Sequence, residues 1–475
     1  MNLPNYIFLC FLILFSLDGV SQNAYNVDFH IKGYENQEVI VAREFLNRYP
    51  VVDTLQQYAP GKFIFQGDSS LTAGVYLLVL PPDNNFLTFL IDEGDSQFSI
   101  KTNIDQLAEG IEIDGSVNNK VYYDHLNYSN AQVAKLNAIL SEQHAAQGGE
   151  DLKSKFEAEI KALKDYRTLN VTRFSHLLAA NLIRLEMEQE IPDFADLPLE
   201  EKKLQKLAYR KEHFFDFVNM ADPRMVHSEA FFNKVFYYIQ ELTPNDFDAL
   251  IESVDRVLEL MKPSKTNFKY YLDHLMIDFA SSDVIGMDKV YCHIVENYYA
   301  KGMAPWVQEE DLAEMVEDVK RRKPLLLNNI APDIEMEDQF GESLSLHKTI
   351  SKYTVLYLWQ PGCSHCKLSM PYMKSFHAKY KDRGIKIFSA CTKIGSKTEE
   401  CWKYIEENEL TGWINVTDKD LSSRFVQKYM AEKTPKIYIL DADKRIILKD
   451  VGADQLDEIF ESILMDQPRE EPQGG

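Results

Sequence analysis

The sequence predicts a multidomain protein: an N-terminal antiparallel β-sandwich, an all-α helical middle domain and a C-terminal α/β domain. Three changes of pattern carry that prediction. Apolar and polar residues alternate up to about Gly115; from there to about residue 330 the apolar residues recur with a period near 3.6; from Ala331 onward short β-rich runs alternate with helical stretches. A chain of 475 residues is too long for one ordinary core, and about 150 residues per domain gives about three units.

Residues 1–21 hold the apolar run Ile7–Phe15, long enough for the core of a signal peptide and too short to span a bilayer. Gly19-Val20-Ser21 supplies small residues for cleavage before Gln22, although the segment carries no Lys or Arg. The expectation is export, with the mature chain in the periplasm or elsewhere outside the cytoplasm. Cys10 would leave with the peptide. Five cysteines then remain, Cys292, Cys363, Cys366, Cys391 and Cys401, too few in so long an exported chain for the fold to rest on disulfides.

The β region is assigned to residues 22–115. Val27–Gly33, Glu38–Ala42, Lys62–Gln66, Gly74–Leu80, Phe86–Ile91 and Gln97–Lys101 each read as a strand, punctuated by Gly61, Pro81-Pro82-Asp83 and Asp92–Asp95. Six or seven short strands at this spacing suggest a small antiparallel sandwich. It contains no cluster of His, Cys and carboxylates that resembles a site, and its simplest role is packing or interaction.

The helical region is assigned to residues 116–330, with breaks at Gly148-Gly149, Pro192, Pro223, Pro244 and Pro263. Aromatic pairs such as Phe214-Phe215, Phe231-Phe232 and Tyr270-Tyr271 sit at helical spacing, which favours a core over a peptide-binding groove. Cys292 reads as a buried, inert helix thiol, and His293 beside it supports no metal site.

The net charge of −23 argues against a nucleic-acid-binding surface or an anionic-membrane surface, either of which needs an extended Lys/Arg patch. Residues 331–475 hold 20 Lys/Arg against 24 Asp/Glu, a net of −4, which leaves −19 for residues 1–330. That excess is most simply a solvated face.

The last region, 331–466, carries the chemistry; residues 467–475, rich in Pro, Glu and Gly, read as a disordered tail. Its strands are expected at 353–359, 385–390, 436–440 and 446–450, and its helices at 363–382, about 398–408, about 420–430 and 454–465, layered on both faces of a sheet. Between the first strand and the first helix lies Trp359-Gln360-Pro361-Gly362-Cys363-Ser364-His365-Cys366. A thiol at a strand-to-helix turn meets free backbone N–H groups and the positive end of the helix dipole, so Cys363 should ionise more easily than an ordinary thiol. Cys366, one helical turn on, can close a disulfide with it and give a two-electron cycle. The other reading of Cys-x-x-Cys is half a zinc site. Zinc needs a second ligand pair, and the remaining candidates, Cys391 and Cys401, are widely separated with no His beside either. These two read as separate structural thiols or one quiet bridge, with a disulfide shuttle as the alternative.

Together Ala331-Pro332-Asp333, Gly341–Ser345, Leu358-Trp359, Cys363-x-x-Cys366, Pro371, Lys433-Thr434-Pro435 and Gly452 resemble the thioredoxin-fold redoxins of the TlpA/ResA type. The resemblance covers about residues 331–466, a little under a third of the chain. The upstream β and helical domains are similar to those of multidomain exported members of that group. The resemblance implies a thioredoxin fold at the C-terminus, Cys363 as the attacking thiolate and Cys366 as the resolving thiol, the pair forming the redox-active disulfide. It implies Pro435 as a cis-proline facing the site, Thr434 before it lining the substrate groove, Pro371 kinking the helix and Trp359 packing beneath. Members often hold a buried carboxylate behind the cysteines, but the corresponding residues are Tyr357 and Ser369. That leaves His365 as the nearest titratable group apart from the thiols; in Cys-x-His-Cys members of the fold such a His stabilises the thiolate and makes the disulfide more oxidising, and the plainer reading of it is an exposed turn residue.

The function expected is thiol–disulfide exchange with protein thiols and disulfides, fed by a membrane or periplasmic donor, with no cofactor or metal and no membrane contact beyond export or that donor. The family commonly runs reductively and His365 tilts toward oxidation, so the direction stays open. One rival is a peroxiredoxin-like peroxidase, whose reactive cysteine usually follows a Thr by three residues; Gln360 stands there. Another is a binding or scaffold protein in which the redox site is a sensor.

Overall fold

In the computed structural model the described residues are 24–145 and 150–465. The signal peptide expected over 1–21 and the tail expected over 467–475 lie outside them. The chain forms two compact units, one of residues up to 243 with 259–268, the other of 244–258 with residues from 269 on.

The first unit opens with β1 (Tyr25–Lys32), β2 (Glu38–Arg43), β3 (Val51–Gln56), β4 (Lys62–Gly67), β5 (Gly74–Leu80), β6 (Asn85–Ile91), β7 (Gln97–Asn103) and β8 (Glu112–Asp114). They make two four-stranded sheets, ordered β4-β1-β7-β8 and β3-β2-β5-β6. The alternation does what period two requires: Val27, Phe29 and Ile31 from the first sheet and Val39, Val41, Tyr76, Leu78 and Phe89 from the second meet in one core. One expectation is corrected. The sheets are not wholly antiparallel, because β1 and β7 pair in parallel, Asn26 opposite Gln97 through Lys32 opposite Asn103. Alternation reports which face is buried and is blind to strand direction; between β1 and β7 the chain visits the other sheet twice, returning in between as β4 on the far side of β1.

The period changes at Ser116, whose hydroxyl accepts the Asn119 amide at 3.0 Å and caps the first helix. The helices α1 (Val117–Ala145), α2 (Glu150–Arg173), α3 (Leu178–Leu185), α4 (Leu199–Glu212) and α5 (Glu229–Gln240) follow. A buried polar network runs through this unit: Arg224 pairs with Asp222 and Asp92, and the Asn119 side chain bonds both backbone groups of Leu90.

The second unit holds α6 (Phe247–Met261) and α7 (Lys265–Ala280), through which the division between units runs, then α8 (Asp288–Ile294) and α9 (Glu309–Arg322). The acids Glu309, Glu310 and Asp311 fill the first turn of α9 and Lys320, Arg321 and Arg322 its last, so the basic cluster completes the helix and matches its dipole.

The C-terminal α/β domain contains β9 (Glu335–Glu337), β10 (Ser343–Ser345), β11 (Tyr353–Trp359), α10 (Ser364–Tyr380), β12 (Ile385–Cys391), α11 (Thr398–Glu407), β13 (Ile414–Thr417), α12 (Phe425–Tyr429), β14 (Lys436–Leu440), β15 (Ile446–Lys449) and α13 (Leu456–Met465). Its seven-stranded sheet has the order β10-β9-β13-β12-β11-β14-β15. Every residue of β11 is buried, because the strand is central and covered on both faces. Tyr353, Val355, Tyr357 and Trp359 pack on one side with Met373, Phe376, Cys401 and Phe460; Leu356 and Leu358 pack on the other with Phe425 and Tyr429. The helix expected over about 420–430 is corrected to the five residues of α12. The Asp418 carboxylate takes the amides of Ser422 and Ser423, and Arg424 and Met430 adopt left-handed backbone, so helix is allowed only between them.

Candidate active site

The site is set by register. Strand β11 runs parallel to β12, with Trp359 opposite Cys391, and antiparallel to β14, with Leu358 opposite Lys436. The residues just after β11 and just before β14 therefore emerge at the same end of the sheet, which brings Cys363 and Thr434-Pro435 together. The Thr434–Pro435 peptide is cis, and the Cys363 thiol donates to the Thr434 carbonyl at 3.3 Å. Gly362 supplies the positive φ, 84°, that turns the chain from the strand into the helix.

Cys363 is the N-cap of α10: its sulfur accepts the Cys366 amide at 3.3 Å, the bond a Ser or Asp oxygen makes at an ordinary cap. Both thiols are free, Cys363 half-buried and Cys366 buried. Their acidities diverge. Burial opposes ionisation of Cys363, but hydrogen bonds from the Cys366 thiol and amide, the Thr434 side chain and the His365 amide outweigh it and hold the thiol below its ordinary pKa. Burial pushes Cys366 up to about 11, helped by its hydrogen bond to Cys363. Cys292 is buried, and burial pushes it up to about 12.

Trp359 is fully buried, its indole N–H donating to the Ser389 hydroxyl at 2.8 Å. It stacks on Tyr357 with centroids 6.3 Å apart and an interplanar angle of 9°. Among the described residues the buried Tyr357 hydroxyl has no hydrogen-bond partner; burial first, and then the nearby Cys366, raise its pKa, so it stays protonated behind the sulfurs. Ser369 is turned away, its hydroxyl donating to the His365 carbonyl at 2.9 Å. His365 is exposed in the first turn of α10. Pro371 lies inside α10.

Cys391 and Cys401, whose pairing the sequence left open, form a disulfide across ten residues, joining the end of β12 to α11. Both are fully buried. Among the described residues no group of three or more His, Cys, Asp or Glu side chains is placed to hold a metal ion, and no helix is long and apolar enough to cross a membrane. A polar recess of about 500 Å³ lined by Asp333, Glu335, Glu337, Thr417, Asp418 and Lys428 includes neither Cys363 nor Cys366.

Known proteins resemble parts of this chain. The AhpC/TSA family profile matches residues 327–449. The thiol-disulfide oxidoreductase ResA of Bacillus cereus is 24% identical over 132 residues, which is 28% of this chain and 73% of that protein. The C-terminal domain is a thioredoxin-like redoxin of the TlpA/ResA type. It belongs among the thiol–disulfide oxidoreductases. This redoxin domain is also similar to the thioredoxin-like protein YneN of Bacillus subtilis, 25% identical over 111 residues, 23% of this chain and 63% of that one. A solved domain of a possible thiol-disulfide isomerase from Cytophaga hutchinsonii is 34% identical to it, covering 30% of this chain and 99% of that one with a TM-score of 0.28. A thioredoxin-like protein from Bacteroides caccae is 19% identical and covers 59% of this chain and 98% of its own, with a TM-score of 0.44. Upstream of the redoxin domain, residues 25–122 and 162–322 match two families described as domains of unknown function, DUF4369 and DUF5106.

Proposed function

We propose that the chain is an exported thiol–disulfide oxidoreductase that exchanges disulfides with protein substrates through Cys363 and Cys366. Residues 331–466 act as the redox module, residues 22–115 and 116–330 accompany it, and residues 1–21 direct export. The observation that carries this reading is the asymmetry of the two sulfurs: Cys363 is half-buried and more acidic than an ordinary thiol, and Cys366 lies buried one turn behind it with its proton held.

The cycle follows from that asymmetry. The Cys363 thiolate attacks one sulfur of a substrate disulfide; that S–S bond breaks, a mixed disulfide forms, and the leaving sulfur takes a proton from water. Cys366 then loses its proton to solvent and attacks the Cys363 sulfur. The mixed disulfide breaks, the substrate departs with two thiols, and the Cys363–Cys366 disulfide holds the two electrons' worth of oxidation. A periplasmic or membrane dithiol donor returns the pair to its reduced form, and the reverse sequence oxidises substrate dithiols. Thr434 and Pro435 line the groove; the proline has no N–H to intrude on the sulfurs. Trp359 supports the turn from below. His365, exposed beside Cys363, favours the thiolate when protonated.

Insulin reduction with dithiothreitol as electron source tests the reading. The native chain is expected to accelerate precipitation and a Cys363→Ser variant to lose the acceleration; equal activity in both removes the proposal. Equilibration with glutathione then assigns direction, a potential of about −270 mV placing the couple with reductants and about −120 mV with oxidants.

A further inference from the structure

We propose that the face around Cys363 selects acidic polypeptide segments, so that the preferred substrates carry Asp or Glu within a few residues of the disulfide; this inference rests on the oxidoreductase reading above. The helix that carries the cysteines is unlike the rest of the chain. In a protein of net charge −23, the 17 residues of α10 include Lys367, Lys374 and Lys379 with His365 and His377, and no Asp or Glu.

Lysines on three segments flank the backbone around the sulfur. Lys367 lies in the first turn of α10, its amide donating to the Cys363 carbonyl at 3.0 Å. Lys433 immediately precedes Thr434, whose carbonyl is 3.3 Å from the Cys363 sulfur. Lys393 follows Thr392, whose amide donates to the Trp359 carbonyl at 2.7 Å. Lys367 and Lys433 are exposed, and neither pairs with a carboxylate among the described residues. The acids next to these cations are already engaged: Glu432 pairs with Arg321, Asp450 lies 3.5 Å from Lys436, and Glu400 lies 3.7 Å from Lys393. The local balance is therefore positive although the chain is acidic.

An apolar component sits beside it. Leu368 and Tyr372, 69% and 54% exposed, lie one turn apart on the stripe of α10 that begins at His365. A partner fitting this face presents carboxylates to Lys367 and Lys433 and an apolar or aromatic side chain to Leu368 and Tyr372. At an ionic strength of about 0.15 M charges are screened beyond about 8 Å, so the cations act on residues flanking the substrate disulfide and the net charge of the whole chain does not cancel them.

The test uses the full chain, reduced beforehand, and three disulfide peptides that differ only in acidic, neutral or basic flanking residues. Each rate is divided by that of the same peptide with 2-mercaptoethanol, which removes intrinsic differences in reactivity. The acidic peptide is expected to outpace the basic one by about tenfold at about 0.05 M salt and by little at about 0.5 M. Lys367→Glu combined with Lys433→Glu is expected to reverse the order, and Lys367→Arg with Lys433→Arg to keep it. Equal normalised rates for the three peptides, or an order that survives the charge reversal, overturn the inference and leave the oxidoreductase reading standing. No reaction with any of the three removes both.

Discussion

At pH 7 a short pulse of iodoacetamide is expected to alkylate Cys363 and to spare Cys366. With its pKa pushed to about 11, by burial first and by its bond to Cys363 second, Cys366 is thiolate in about one molecule in ten thousand, against about 3% for an ordinary thiol. Cys363 moves the other way, because the hydrogen bonds it receives outweigh the burial that opposes its charge. Thiolate fraction alone then separates the two alkylation rates by more than about a hundredfold. Cys366→Ala tests the cause, since it deletes the thiol donor and keeps the amide that also reaches the Cys363 sulfur. A hydrogen bond to a charged acceptor contributes about 1.5–3 kcal/mol, or about one to two pKa units. Sulfur is a weak partner, and truncating Cys366 relieves some of the burial, so a rise of about one unit in the Cys363 midpoint is expected. Thiolate absorbance followed from about pH 4 to about pH 10, with peptide mapping of the alkyl group, reads both quantities. A Cys363 midpoint that stays or falls in Cys366→Ala, or faster labelling of Cys366 in the native chain, refutes the reasoning.

Glu44 is buried, and burial, opposed by the Glu229 amide it accepts, raises its pKa to about 7. A raised carboxyl contributes stability that is full below the unfolded pKa of about 4.3 and is lost as pH rises through about 7, so Glu44→Gln should match the native chain at low pH and exceed it by up to about 3 kcal/mol at pH 8 in urea unfolding. Lys449, buried, pairs with Asp288 and donates to the Leu325 carbonyl at 2.8 Å. Lys449→Met strands that carboxylate and should cost about 3–5 kcal/mol by denaturant unfolding, most of it recovered when Asp288→Leu is added. Replacing both Cys391 and Cys401 by Ser opens a ten-residue loop and should cost about 3 kcal/mol in thermal unfolding while insulin reduction continues.

The parts of the fold read correctly from sequence are those whose signal is local. The run Tyr353–Trp359 is apolar throughout because β11 is central, and the residues after it announce a strand-to-helix turn by composition alone. The strands β9, β10 and β13 were invisible: three or four residues such as Glu335-Met336-Glu337 are too few to show a period, and they exist because a neighbouring strand edge accepts them. The Asp418 side chain competes with helix in the segment before α12, a tertiary capping choice that helical spacing in 420–430 conceals. The parallel pairing of β1 with β7 depends on the route of the chain between them. At the site, the cysteine pair is a motif, but the meeting of Cys391 with Cys401 and of Cys363 with Thr434 follows from strand register and loop closure. Residues far apart in sequence carry no mark of that meeting. The Tyr357 hydroxyl, without a hydrogen-bond partner among the described residues, is likewise a fact of packing.

Trapping the covalent intermediate tests the central claim most directly. A Cys366→Ser chain mixed with a denatured, disulfide-containing protein should accumulate a mixed disulfide through Cys363, seen as a reductant-sensitive adduct on a non-reducing gel and mapped by mass. Cys363→Ser should form none. Adduct formed equally well by Cys363→Ser, or absent from both variants, contradicts the assignment of Cys363 as the attacking sulfur and Cys366 as the one that releases it.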